Sequence, residues 1–129
     1  MNSSDSIKIL TKFGNTTTNT SGDATVTIAP GSSSPENGRF FIPKLLNVST
    51  GTTVSWTNND LILFKTFDLE QLHTVTSGSL ESKNIGTEFA SGFLSAGKTF
   101  KHTFDTPGIF DYFCTIHPFM AGKVVVKSQ

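Results

Sequence analysis

A single cysteine, Cys114, stands three residues before His117, and His117 stands three before Met120, in the stretch FDYFCTIHPFMAGKVVV over residues 110–126. A thiolate, an imidazole and a thioether within one seven-residue loop are donor types that copper accepts. One more imidazole would complete a site. His73, in LEQLHTVTSGS, is the candidate, because it ends a different strand-like segment and can approach from the opposite wall. Taken singly, Cys114 and Met120 read as core residues and His117 as an incidental polar group; in this order, directly after a strand, the three together point to copper. Zinc could occupy the same imidazoles and thiolate, but Met120 would add nothing to it and only three strong ligands would remain. A lone cysteine cannot close an internal disulfide, which leaves a free thiol, an intermolecular bridge or a metal ligand. His102 shares strand phase with Phe100 and Phe104, so it reads as a hydrogen-bonded histidine at the core edge and not as a ligand.

Two strand patterns bracket the ligand loop: Ile109 to Phe113 before it and Lys123 to Val126 after it. Upstream, Asp23 to Ala29 alternates small or apolar with polar residues and predicts the first strand, stopped by Pro30-Gly31. GSSSPENG, residues 31–38, is a loop, and Phe40 to Val48 is extended but interrupted by Pro43, which points to an edge or a bulge. Gly51 to Thr57 predicts another strand, with Val54 and Trp56 on one face and Trp56 in the core. Residues 60–72 form a connection in which Phe67 to Leu72 could make a helical turn capped by Asp68 that shapes access to the site. The Ser- and Gly-rich connection 77–99 offers Phe89, Phe93 and Leu94 as core anchors, and Phe100, His102 and Phe104 then share a strand face before the turn at Thr106-Pro107-Gly108. Many short strands with almost no helix imply an all-β antiparallel sandwich.

At 129 residues the chain is long enough to bury one core without staples, and its 12 phenylalanines are spread over short apolar runs. Residues 1–22, rich in Ser, Thr and Asn, read as a flexible arm or tether, leaving residues 23–129 as the metal-binding domain. Ten basic and ten acidic residues cancel, so there is no footprint for nucleic acid and no polybasic membrane patch. No stretch has the apolar length of a transmembrane helix, and MNSSDSIKIL lacks the basic start and long apolar run of a signal peptide. An extracytoplasmic protein would then have lost its signal or anchor with a removed N-terminal segment. Sequons at Asn2, Asn15, Asn19 and Asn47 arise readily in such a composition and add little.

The Cys-x-x-His-x-x-Met loop, the upstream HTVTSG histidine and the strand motif GTTVSWTNND resemble the cupredoxin family of type 1 copper proteins, in its plastocyanin and halocyanin-like branch, over most of residues 24–128. The resemblance implies a Greek-key β-sandwich that binds one copper through His73, Cys114, His117 and an axial Met120. It also marks residues 61–72 as an insertion, since the usual connection at that point is shorter. The expected activity is single-electron transfer between redox proteins that dock on the apolar rim of His117, Pro118 and Phe119, outside the cytoplasm. Phe119 could equally plug the loop against the barrel end. The enzymatic alternative is an open copper position, shaped by residues 61–72, that binds and oxidises or reduces a small molecule such as nitric oxide. Copper storage fits a rigid site poorly, and a binuclear copper centre needs two cysteines where this chain has one.

Overall fold

The computed structural model describes residues 16–19 at the level of the backbone, 22–61 and 71–129. Nine strands follow one another: β1 (Thr16–Asn19), β2 (Asp23–Ile28), β3 (Phe41–Ile42), β4 (Leu45–Ser49), β5 (Thr52–Asn58), β6 (Thr76–Ser77), β7 (Thr99–Phe104), β8 (Gly108–Phe113) and β9 (Ala121–Lys127). Helix among the described residues is confined to a 3-10 turn, Pro35–Asn37, and to Gln71, also in 3-10 conformation. One sheet runs β1-β4-β9-β8-β6 and the other β3-β2-β5-β7. The β-sandwich expected from the alternating apolar pattern is therefore present. Its sheets are mixed: β2 pairs with β5, β4 with β9 and β1 with β4 in parallel, while β5–β7, β8–β9, β2–β3 and β6–β8 are antiparallel. Parallel neighbours arise because the strands they join are not consecutive but return from the opposite sheet.

Strand alternation sets which residues meet between the sheets. Ala24, Val26 and Ile28 of β2, Val54 and Trp56 of β5, Leu46 and Val48 of β4, and Val124 and Val126 of β9 are all buried. Trp56, with no exposed surface, sits among Tyr112, Phe89 and Phe100 at ring-centroid distances of 5.4, 5.7 and 5.8 Å, which bears out its reading as a core residue. Pro43 lies where the chain leaves edge strand β3 of one sheet for β4 of the other, so a residue that cannot donate to a ladder falls between two ladders. Opposite Gly122 of β9 stands Tyr112 of β8; a Cβ at position 122 would lie 2.4 Å from the tyrosine ring, so only glycine fits there.

The expected anchors of the 77–99 connection divide. Phe89 and Leu94 are buried, but Phe93 is 73% exposed, because Leu94 turns inward to bridge His73 and its neighbour in an extended segment must face outward. Most of the segment read as an arm, and the expected helical turn at 67–72 apart from its last two residues, lie outside the described residues. Thr16–Asn19, within that expected arm, lie in parallel register with Leu45 to Val48. Among the described residues no helix is long and apolar enough to cross a membrane.

Candidate metal centre

The site is built from two segments at one end of the sandwich. The first enters from β5 through Asn58 and Asp60 and resumes at Gln71, leading to His73. His73 is fixed by its own backbone, whose N–H donates to the Leu94 carbonyl at 3.1 Å while its carbonyl accepts from the Leu94 N–H at 2.8 Å. The second is the turn from β8 to β9, where the Cys114 N–H donates to the Met120 carbonyl (3.1 Å) and the Met120 N–H to the His117 carbonyl (2.9 Å). These bonds fold the loop back on itself and draw the backbones of Cys114, His117 and Met120 together.

Thr74 latches the two segments together. Its N–H donates to Cys114 Sγ at 3.3 Å, and its Oγ1 accepts from the Thr115 N–H at 2.9 Å. Cys114 Sγ then stands 3.7 Å from His73 Nδ1 and 3.7 Å from His117 Nδ1. The donor atoms of His73, Cys114 and His117 all lie within 4.8 Å of one another, the one cluster of metal-ligating type among the described residues. Bonds of about 2.3 Å to sulfur and about 2.0 Å to nitrogen, set about 120° apart around one first-row ion, would place the two donors about 3.7 Å from each other. The observed separation is the same, so the donor set fits a shared metal.

Burial differs along the set. His73, Cys114 and Met120 have no exposed surface, whereas His117 is half-buried at the rim. Around it Pro118, Ile116 and Phe119 are exposed. Phe119 is 39% exposed, and its ring packs edge-on against Phe40 at 5.2 Å. His102 lies away from the cluster, with its ring against Phe89 and Phe104 at 4.9 and 4.7 Å.

Two groups of the cluster have shifted proton affinities. Burial raises the pKa of the Cys114 thiol, but hydrogen bonds from His73 and from the backbone N–H of Thr74 outweigh it and hold the group below the usual thiol value. Burial likewise disfavours a charged His73, and there the hydrogen bonds to Cys114 and Asp60, with their negative charges, outweigh it and hold the imidazole above its ordinary value. Cys114 thus gives up its proton more readily than an ordinary thiol.

Asp60 and Ser32 are partners of the site that the residue pattern left unmarked: Asp60 Oδ2 is 2.8 Å and Ser32 Oγ 3.3 Å from His73 Nε2. The signal for Asp60 was its place in WTNND, two residues beyond the end of a buried strand, where a carboxylate needs a donor. For Ser32, within GSSSPENG, the chain carried no such signal.

Residues 31–127 match the family of copper-binding proteins described as plastocyanin/azurin. Amicyanin-alpha of Methylorubrum extorquens is 32% identical over 89 residues, 69% of this chain and 65% of that protein. Amicyanin of Paracoccus denitrificans is 33% identical over 82 residues, 64% of this chain and 54% of that protein. The chain thus spans less than two thirds of the length of these curated relatives. Among solved structures, a purple cupredoxin from Nitrosopumilus maritimus superposes with a TM-score of 0.68 at 31% identity, covering 81% of this chain and 100% of that one. The amicyanin of Paracoccus versutus gives a TM-score of 0.57 at 25% identity, covering 81% of each.

Proposed function

The chain belongs to the plastocyanin/azurin family of copper-binding proteins, and from that premise we propose that it is a one-electron carrier in which His73, Cys114, His117 and Met120 would hold one mononuclear type 1 copper. The observation that carries this reading is the convergence of two imidazoles and the only cysteine within 4.8 Å, on two segments locked together by Thr74. When bound, copper supplies the Cu(I)/Cu(II) couple, and soft sulfur with imidazole nitrogen is a compromise that both states accept. The protein contributes rigidity: Cys114, His117 and Met120 are spaced by the loop's own hydrogen bonds and His73 by its ladder to Leu94, so the donors need move little when the electron arrives or leaves.

His117 gives the electron its way out. It is the one half-exposed imidazole of the set, ringed by Pro118, Phe119 and Ile116. A small apolar rim of that kind suits a redox protein that docks, exchanges one electron and leaves, as weak transient interfaces do. An extracytoplasmic location, periplasmic or at the cell surface, accords with the likeness to amicyanins, and residues 23–129 constitute the copper domain.

Voltammetry with azide addition tests the reading. A reversible one-electron wave and a visible spectrum indifferent to azide are expected of a filled coordination sphere. A spectrum that shifts with azide would reveal an open position and put small-molecule chemistry ahead of electron carriage.

A further inference from the structure

Behind His73, on the side away from Cys114, the chain buries a carboxylate. Asp60 is 1% exposed, and its two oxygens are both engaged: Oδ2 lies 2.8 Å from His73 Nε2, and Oδ1 accepts the Gly31 N–H at 2.8 Å. Gly31 reaches that position with φ at +77°, a conformation that glycine adopts without strain. Ser32, also buried, sets its Oγ 3.3 Å from the same histidine nitrogen. The Asp60 N–H donates to Asn58 Oδ1 at 2.9 Å, and Asn58 Nδ2 donates to the carbonyls of Gln71 at 2.7 Å and Leu94 at 2.9 Å. Leu94 is the residue whose backbone pairs with His73. The network therefore closes around one imidazole. A carboxylate is expensive to bury, and one held by two donors with a third polar group beside it is a built feature of the fold.

Resting on the ligand set proposed above, we infer that Asp60 is the positioning residue of the centre: it accepts the Nε2–H of His73, so that Nδ1 faces Cys114 and His117, and it sets a fixed negative charge behind that ligand. Both effects have a direction. An Nε2–H given to a carboxylate leaves Nδ1 more basic and the ring unable to turn, which tightens metal binding. The buried charge favours the more positive oxidised state of the centre, so it lowers the reduction potential.

Asp60→Asn separates the effects from mere packing. The amide has nearly the same shape, but it offers one acceptor oxygen to the two donors, Gly31 N–H and His73 Nε2–H, and it carries no charge. The test compares wild type, Asp60→Asn and Asp60→Ala as Cu(I) proteins by ring nitrogen NMR of His73, by midpoint potential and by the rate of copper loss to a chelator. Wild type should show a slowly exchanging, downfield Nε2 proton. In Asp60→Asn that proton should move upfield and exchange faster, and the potential should rise. Asp60→Ala should bind copper about 10–100-fold more weakly. A wild-type Nε2 proton that exchanges freely with solvent would overturn the inference, even if neither variant folds. So would a native-like Asp60→Asn with the wild-type potential and chelator rate, while an intact thiolate absorption band in every variant after oxidation to Cu(II) would leave the ligand set standing. Loss of that band in wild type would instead remove the ligand set, and the role of Asp60 with it.

Discussion

Gly122→Ala places one methyl group where the structure has no room for it. The added Cβ would lie 2.4 Å from both Cζ and the hydroxyl oxygen of Tyr112 and 2.9 Å from Cε1. Carbon atoms in contact prefer about 3.5–4.0 Å, so the ring and the strand would have to separate by about 1 Å. Neither yields cheaply. Tyr112 is 1% exposed and wedged against Phe41 at 4.7 Å and Trp56 at 5.4 Å, and Gly122 is held in the β8–β9 ladder next to Lys123, where β9 begins to pair with β4. Overpacking of a filled core costs about 1–3 kcal/mol, and the wedged ring puts this case in the upper half of that range. With a urea m-value of about 2 kcal/mol/M for a domain of this size, the midpoint should fall by about 1 M at constant m. Gly22→Ala is the control: no atom lies within 4 Å of its Cβ, so it should change stability by no more than about 0.5 kcal/mol. Replacing Tyr112 by Leu in the Gly122→Ala background should recover part of the loss, a coupling that a double-mutant cycle measures. If Gly122→Ala unfolds at the wild-type urea concentration, the packing of β8 against β9 described above is wrong. The clash also lies one residue pair from the ligand loop, since Phe113 faces Ala121, so the variant should have an altered thiolate absorption when loaded with copper.

Three other perturbations give distinct readings. Cys114→Ser should abolish the intense visible absorption of the copper-loaded protein and leave the far-ultraviolet circular dichroism unchanged; a retained band would place the chromophore elsewhere. Trp56→Ala empties the centre of the aromatic cluster and should cost about 3–5 kcal/mol in urea unfolding, whereas a loss below about 1 kcal/mol would contradict its central position. Burial beside Phe89 and Phe104 holds His102 below the ordinary imidazole value of 6.5, against the weaker pull of Glu88 and Asp105. The unfolded chain therefore binds the extra proton first, and stability should decline as the pH falls below 6.5 and level off once the folded group is also protonated. His102→Phe should remove that acid slope in unfolding curves taken across the window, and an unchanged slope would assign it to other groups.

The meeting of Cys114 with His117 was legible in the chain because chemistry and spacing coincide: the two fall in one loop, and a loop of that length between two strands must bring its ends together. His73 was legible by type and order. Its contact with Cys114 depends on Thr74 and Leu94, two residues whose roles exist only once the sheets have packed. Alternation marked β2, β5 and β7, since each turns one face toward the core. Which strands would lie side by side was another matter. The parallel pairs β2–β5 and β4–β9 join strands distant in sequence, and an alternating pattern looks the same whether its neighbour runs parallel or antiparallel. Phe93 misled for a related reason: composition alone does not tell which of two adjacent apolar residues, Phe93 or Leu94, turns inward. Asp60 and Ser32 stayed hidden because a buried polar pair is identified by its partner, and each lies far along the chain from His73.

The most direct test of the centre is a crystal structure of the copper-loaded protein with anomalous data at the copper edge. The proposed ligand set predicts one copper per chain, bonded to His73 Nδ1, Cys114 Sγ and His117 Nδ1 with Met120 Sδ on the axis. Copper found on other residues, or bound without Cys114, would contradict it.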